Sequence, residues 1–216
     1  MKYLKVLILF SVLLSFSVNA LLEVSIIKSK EDAFPIVIVP FEFIGDTKLE
    51  EDITGIIRDD LSNSGHFNVT FSDKVDFNFL KEYKQDAVIF GKISQPTGSQ
   101  TFNVDLYIYD VYSGKKLYTK RIGLTNASAR KVAHILSDKI YETLLGQKGA
   151  FNTKLTYVTV TNNENNNPIY RLVISDYDGY NPKVLERSVG DPILSPTWSS
   201  DLNKLAYVSF KNRRSE

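Results

Sequence analysis

The side chains that could do chemistry are few. The sequence has no cysteine, and its only histidines are His66 and His134. A zinc centre draws four Cys, His or acidic ligands together, so two scattered histidines supply too few. His66 falls at a predicted turn and His134 inside a predicted helix. Neither has a motif partner, so both read as structural or solvated. No Gly-x-Ser-x-Gly elbow, P-loop or dinucleotide fingerprint occurs. Asp176-x-Asp178-Gly179-x-Asn181 has the opening of a calcium loop, but its third acid and distal Glu are wrong. Asp178-Gly179 reads instead as a turn between strands. The acidic runs Glu50-Glu51-Asp52 and Asp59-Asp60 are placed on a helix surface, the earlier one near the positive helix N-terminus. Paired-carboxylate catalysis needs a cleft that nothing in the sequence indicates. These residues predict a protein that is not an enzyme and has no metal or cofactor.

Composition points the same way. The 216 residues are 43% hydrophobic and 12% aromatic with a net charge of +1, which suits a packed globular chain and not a disordered one. Near-neutral charge without a basic stripe argues against nucleic acid. Lys2 and Lys5 precede an apolar run from Val6 to Val18, which ends in Val18-Asn19-Ala20. This is the pattern of a signal peptide cleaved between Ala20 and Leu21, too short for a bilayer core about 30 Å thick. The chain is therefore expected to be exported. Burial alone must hold the mature fold, because no disulfide is available.

The elements that carry these residues follow from periodicity. Residues 21–33 form a leader with little periodicity. Pro35-Ile36-Val37-Ile38-Val39-Pro40-Phe41 reads as a buried strand. Thr47 with Glu50 makes a capping box for a helix whose stripe is Leu49, Ile53, Ile56, Ile57 and Leu61, stopped by Gly65. A short strand spans 66–72, and a short helix spans 76–84 with Leu80 and Tyr83 inward. Ala87 to Gly91 is a second buried strand. Phe102, Val104, Leu106 and Ile108 alternate along one arm of a hairpin that turns at Ser113-Gly114 and returns from Leu117 to Ile122. A second long helix starts near Ser128, with Val132, Ile135, Leu136, Ile140 and Leu144 as its stripe, and ends at Gly146 and Gly149. Residues 34–149 thus read as an α/β domain, a mixed sheet with two long helices.

Beyond residue 150 the helical period vanishes and a repeat begins. Lys154-Leu155-Thr156-Tyr157-Val158 returns as Lys204-Leu205-Ala206-Tyr207-Val208, with strands at 170–176 and 183–186 between the copies. Several antiparallel strands per repeat of 40–50 residues mark a β-propeller blade. A closed propeller takes 4–8 blades. Residues 150–216 are therefore expected to be an incomplete all-β propeller, about one blade plus one strand, cut short within the ring.

In this order the features resemble the TolB family of the periplasmic Tol-Pal envelope system. The resemblance is carried by the signal peptide, Glu23-Val24-x-Ile26, the strand 35–41, Ala87-Val88-Ile89-Phe90-Gly91, and Ser175-Asp176-Tyr177-Asp178-Gly179-Tyr180-Asn181. Leu194-Ser195-Pro196-Thr197-Trp198-Ser199 and Lys204 to Val208 add to it. Ser200 and Leu202 replace the usual Pro and Gly of the blade turn, which predicts a looser turn there. The resemblance implies a protein-binding role in the periplasm that supports outer-membrane integrity and envelope constriction at division. It implies a TolA-like inner-membrane partner, contacted by Glu23, Val24, Ser25, Ile26 and Ile27. It also implies a Pal-like peptidoglycan-associated lipoprotein docked on the propeller, a contact impaired if blades are missing. Residues 23–27 could add to a sheet edge; equally, they could fray or pack on the α/β domain. Two other classes remain open on the residues alone: an exported hydrolase gated by its propeller, and a propeller that binds a small ligand.

Overall fold

The computed structural model describes residues 33–211. The predicted cleavage point Ala20–Leu21 and the partner-binding residues Glu23 to Ile27 lie outside the described residues. No described helix is long and apolar enough to cross a membrane.

The first six strands form one mixed sheet: β1 (Phe34–Ile38), β2 (Glu42–Ile44), β3 (Phe67–Phe71), β4 (Ala87–Ser94), β5 (Phe102–Asp110) and β6 (Lys116–Leu124). The order is β3-β1-β4-β5-β6, with β2 also on β4. β1 runs parallel to both β3 and β4, and the later neighbours are antiparallel. Parallel neighbours need a crossover. The crossovers are α1 (Ile53–Asn63), between β1 and β3, and the short α2 (Phe77–Glu82), between β3 and β4. The predicted strand 35–41 is broken at Pro40. β1 pairs with Ala87–Ile89, and after the break β2 pairs with Lys92–Ser94 of the same strand. Gly91 lies opposite the break. A Cβ there would collide with the Phe41 ring and the Asp105 carbonyl, so glycine lets the chain pass.

α1 and α3 (Ala129–Leu145) pack on one face of the sheet. Ile53, Ile57 and Leu61 of α1 and Leu136 and Ile140 of α3 are wholly or almost wholly buried against Ile36, Ile38, Ile89, Leu106 and Ile108. Each such side chain contributes about 1.5–3 kcal/mol by leaving water. A smaller core on the other face joins Val37, Val39, Val88 and Val111 to Leu80 of α2. α3 ends at Gly146 in the left-handed region (φ 72°), the conformation glycine adopts without steric cost.

Two local expectations are corrected. The capping box at Thr47 and Glu50 does not form. The Thr47 amide donates to Gln95 Oε1, and α1 starts later, where Asp52 Oδ1 accepts from the Gly55 amide at 3.0 Å. Leu49 is buried from the preceding loop, which is why it matched the helical stripe. Tyr83 turns outward, 61% exposed, because α2 ends before it and leaves only Leu80 facing the core.

The β5–β6 turn is tied by Asp110, which accepts from the Ser113 hydroxyl (2.6 Å) and amide (2.7 Å). The hydroxyl first, then the amide, holds the Asp110 carboxyl below its ordinary range. A depressed acid stabilises above its unfolded value, roughly pH 4, and the contribution fades as the pH falls through the folded one. Asp110→Asn is therefore expected to flatten part of the acid limb of stability below roughly pH 4. Denaturant midpoints across that range would check it.

After α3 the chain forms β7 (Lys154–Asn162), β8 (Pro168–Asp176) and β9 (Lys183–Val189), a three-stranded antiparallel sheet. β10 (Ile193–Trp198) and β11 (Leu205–Ser209) pair as a second sheet, and β10 lies against β7 and β8. The repeat thus places β7 and β11 as equivalent strands of successive sheets. β10 escaped the period-2 pattern because its register slips between Leu194 and Thr197.

The turn before β11 is closed, not loose. Ser199 Oγ donates to Asp201 Oδ1 at 2.6 Å and accepts from the Lys204 amide at 2.9 Å. Leu202 nevertheless stands where glycine is usual, at φ 58° and 69% exposed. Left-handed backbone costs a non-glycine residue about 1–2 kcal/mol. Leu202→Gly is expected to stabilise the chain by about 1 kcal/mol, seen as a higher urea midpoint with an unchanged slope.

Candidate functional site

The densest polar cluster among these elements lies where α1 and α3 meet the blade. Arg130, His134 and Asp138 follow one another at four-residue steps and share a face of α3. Arg130 and Asp138 grip different parts of the following chain, and His134 grips Asp60 of α1. Asp138 accepts from the amides of Phe151 (2.8 Å) and Asn152 (3.2 Å), fixing the start of the blade. Gly149 is required beside it, since a Cβ would collide with Asp138. Phe151 then enters the core of the α/β domain, between Tyr141 and Tyr177.

His134 is 3% exposed and Asp60 only 2%. His134 Nδ1 lies 2.8 Å from Asp60 Oδ2, and the Tyr177 hydroxyl donates to Asp60 Oδ1 at 2.6 Å. Burial first, then the bond to Asp60, holds the Tyr177 hydroxyl far above its ordinary range. It therefore remains a donor at any physiological pH. Further along the seam Arg130 donates to Asp178, lies 3.9 Å from both Glu51 and Asp176, and covers the Tyr180 ring at 3.8 Å. Lys154 pairs with Asp176. A cleft of about 190 Å³ opens beside the cluster and is lined by Lys131, His134, Asn152, Lys154 and Asp176, among others.

The structure corrects two readings. Asp60 is not on a helix surface; it falls within the stripe of Ile53, Ile56, Ile57 and Leu61 and is buried with it. His134 has partners after all, supplied by α1 and by the Asp176–Asn181 turn. The sequence carried two signals for this: an acid at an inward helical position, and the Arg130, His134, Asp138 polar row beside the apolar stripe. The Asp176 to Asn181 segment does form a turn between β8 and β9. The Asp176 amide bonds the Tyr180 carbonyl, and Gly179 has φ 83°. His66 is exposed and packs edge-on against Tyr141.

What the seam does chemically is join. It presents a buried, hydrogen-bonded dyad and a charged bridge, with no activated nucleophile among the described residues.

Comparison with known proteins agrees with the order of these parts. The family model of the TolB amino-terminal domain matches residues 22–117, and that of the TolB beta propeller domain matches 141–216. A Tol-Pal system protein TolB from Ruthia magnifica subsp. Calyptogena magnifica is 45% identical over 200 residues, covering 90% of this chain and 47% of the relative. The Coxiella burnetii relative of the same name is 37% identical over 209 residues, covering 89% and 47%. The crystal structure of TolB from Acinetobacter baumannii superposes with a TM-score of 0.70 at 31% identity, over 85% of this chain and 45% of that one. The chain spans about half the length of the curated relatives it matches. With an α/β domain, the first strands of a propeller and the polar seam between them, this chain belongs to the TolB family.

Proposed function

We propose that this chain serves as a protein-binding component of the Tol-Pal system in the periplasm, without enzymatic activity. On this reading residues 1–20 direct export, 21–33 form an extended partner-binding segment, 34–149 the α/β domain and 150–216 the start of the propeller. Glu23, Val24, Ser25, Ile26 and Ile27 contact a TolA-like inner-membrane protein. A Pal-like lipoprotein docks on the propeller, and together these links support envelope integrity and constriction at division.

The observation that carries the reading is the succession of two TolB family matches along one chain, 22–117 and then 141–216. The exposed apolar side chains of the propeller strands, Leu155, Val160, Val184, Leu185 and Leu194 among them, are consistent with surfaces meant for neighbouring strands or partners.

The test is binding of purified residues 21–216 to the C-terminal domain of the TolA-like protein of the same organism, in parallel with a chain lacking 21–33. Binding that disappears with those residues supports the proposal. A folded chain that binds equally well without them, or not at all, refutes the assignment of Glu23 to Ile27.

A further inference from the structure

The seam's own bonds leave one feature unanswered. The His134 side chain is 4% exposed, and its Nε2 has no hydrogen-bond partner among the described residues. A carboxylate only accepts, so Nδ1 carries the hydrogen that is shared with Asp60, and in the neutral imidazole, the form that binds metals, Nε2 offers a lone pair. That lone pair lies 4.0 Å from Asp178 Oδ2. Ligand atoms of His134, Asp176 and Asp178 all fall within 4.8 Å of one another. Both carboxylates already have a cation, Arg130 on Asp178 and Lys154 on Asp176, whereas the buried Nε2 faces them with no bond of its own.

Arg130 and Lys154 answer only part of this charge. Glu51, Asp176 and Asp178 face these two cations, with Lys131 exposed at the mouth of the cleft. Among the described residues Arg130 Nε is itself buried without a hydrogen bond, 3.9 Å from Asp176 Oδ2.

We propose that His134, Asp176 and Asp178 form a binding site for a divalent transition-metal ion of the zinc class, at the junction of α3 and the β8–β9 turn. One imidazole nitrogen and two carboxylates make a borderline donor set that suits zinc better than calcium, which takes six or more oxygens. Asp60 supplies what such sites require behind the metal, a carboxylate that takes the other ring N–H and fixes the tautomer. The two acids flank Tyr177 on one turn, so small χ rotations bring their oxygens toward Nε2. The adjoining cleft gives the ion a path and a place for water as a fourth ligand. The bound ion ties α3 to the blade.

The experiment is a calorimetric titration of zinc into the metal-stripped full chain, with thermal unfolding and cobalt absorption measured alongside. Expected are one ion per chain, a Tm that rises with zinc, and a cobalt spectrum of mixed nitrogen and oxygen ligation. His134→Gln keeps an amide to donate to Asp60 but loses the metal-binding nitrogen, and Asp178→Asn removes a charged ligand. Each is expected to weaken zinc by about tenfold or more, while His66→Ala leaves it unchanged. If His134→Gln does not fold, Asp178→Asn and the cobalt spectrum decide. Absence of saturable binding, variants at the seam that bind as tightly as the parent, or loss of binding in His66→Ala would each overturn the site.

Discussion

Asp60→Ala is expected to destabilise the fold by about 3 kcal/mol, because it strands two buried donors at about 1–3 kcal/mol each. Among the described residues the Tyr177 hydroxyl and His134 Nδ1 have no other acceptor within bonding distance, and Asp60 is only 2% exposed. Asp60→Asn keeps an oxygen for Tyr177 and is expected to cost less. The coupling is measurable in a double-mutant cycle with Tyr177→Phe, read from urea denaturation. If the carboxylate acts through Tyr177, the loss in Asp60→Ala shrinks when Tyr177 is already phenylalanine. Strict additivity, or a loss below about 1 kcal/mol, would show that Asp60 is hydrated in solution and that the seam is looser than its geometry.

The second large effect belongs to Phe151, whose truncation to alanine is expected to cost about 3–5 kcal/mol. The ring is 6% exposed, with its centroid 5.7 Å from that of Tyr141 and 5.4 Å from that of Tyr177. It is the only residue of the blade region fully committed to the core of the α/β domain among the described residues. Its loss opens a cavity under α3 and frees Tyr177 from one side, so the seam weakens with the core. Phe151→Leu refills part of that volume and is expected to recover roughly half of the loss. A cost for Phe151→Ala no larger than that of an exposed aromatic, such as Tyr112→Ala, would remove Phe151 from the core.

Much of this architecture was legible because it rests on local period. The stripes on α1 and α3, apart from Leu49 and Ile135, the alternation along β5, and the Gly114 and Gly146 stops are properties of short windows, and the structure reproduces them. The 50-residue return of Lys154–Val158 is also a local pattern, copied. The strands lost to reading were those that break the pattern: β2, which follows Pro40, and β10, bent at Ser195 with φ 51°. The seam was illegible for a different reason. Asp60 and Tyr177 are 117 positions apart, and no window contains both. A calcium-like Asp-x-Asp-Gly was rightly read as a turn, yet what the turn faces depends on the packing of α1 against α3. Even so, an aspartate inside an apolar stripe is a local anomaly, and a buried acid at such a position asks for partners elsewhere in the chain.

The pairing of two short strands, β1 and β2, along a single longer one has its own consequence. β4 is bonded along one edge by this broken pair and along the other by all eight of its residues to β5. Each amide of β4 points to one flank only, but both flanks are paired and Val88 and Ile89 are wholly buried, so fraying at the sheet ends does not expose them. Isotope exchange at Val88, Ile89 and Phe90 therefore requires cooperative opening of the entire layer. Those protons act as a clock for global unfolding, against which the opening of the blade can be timed in the same sample.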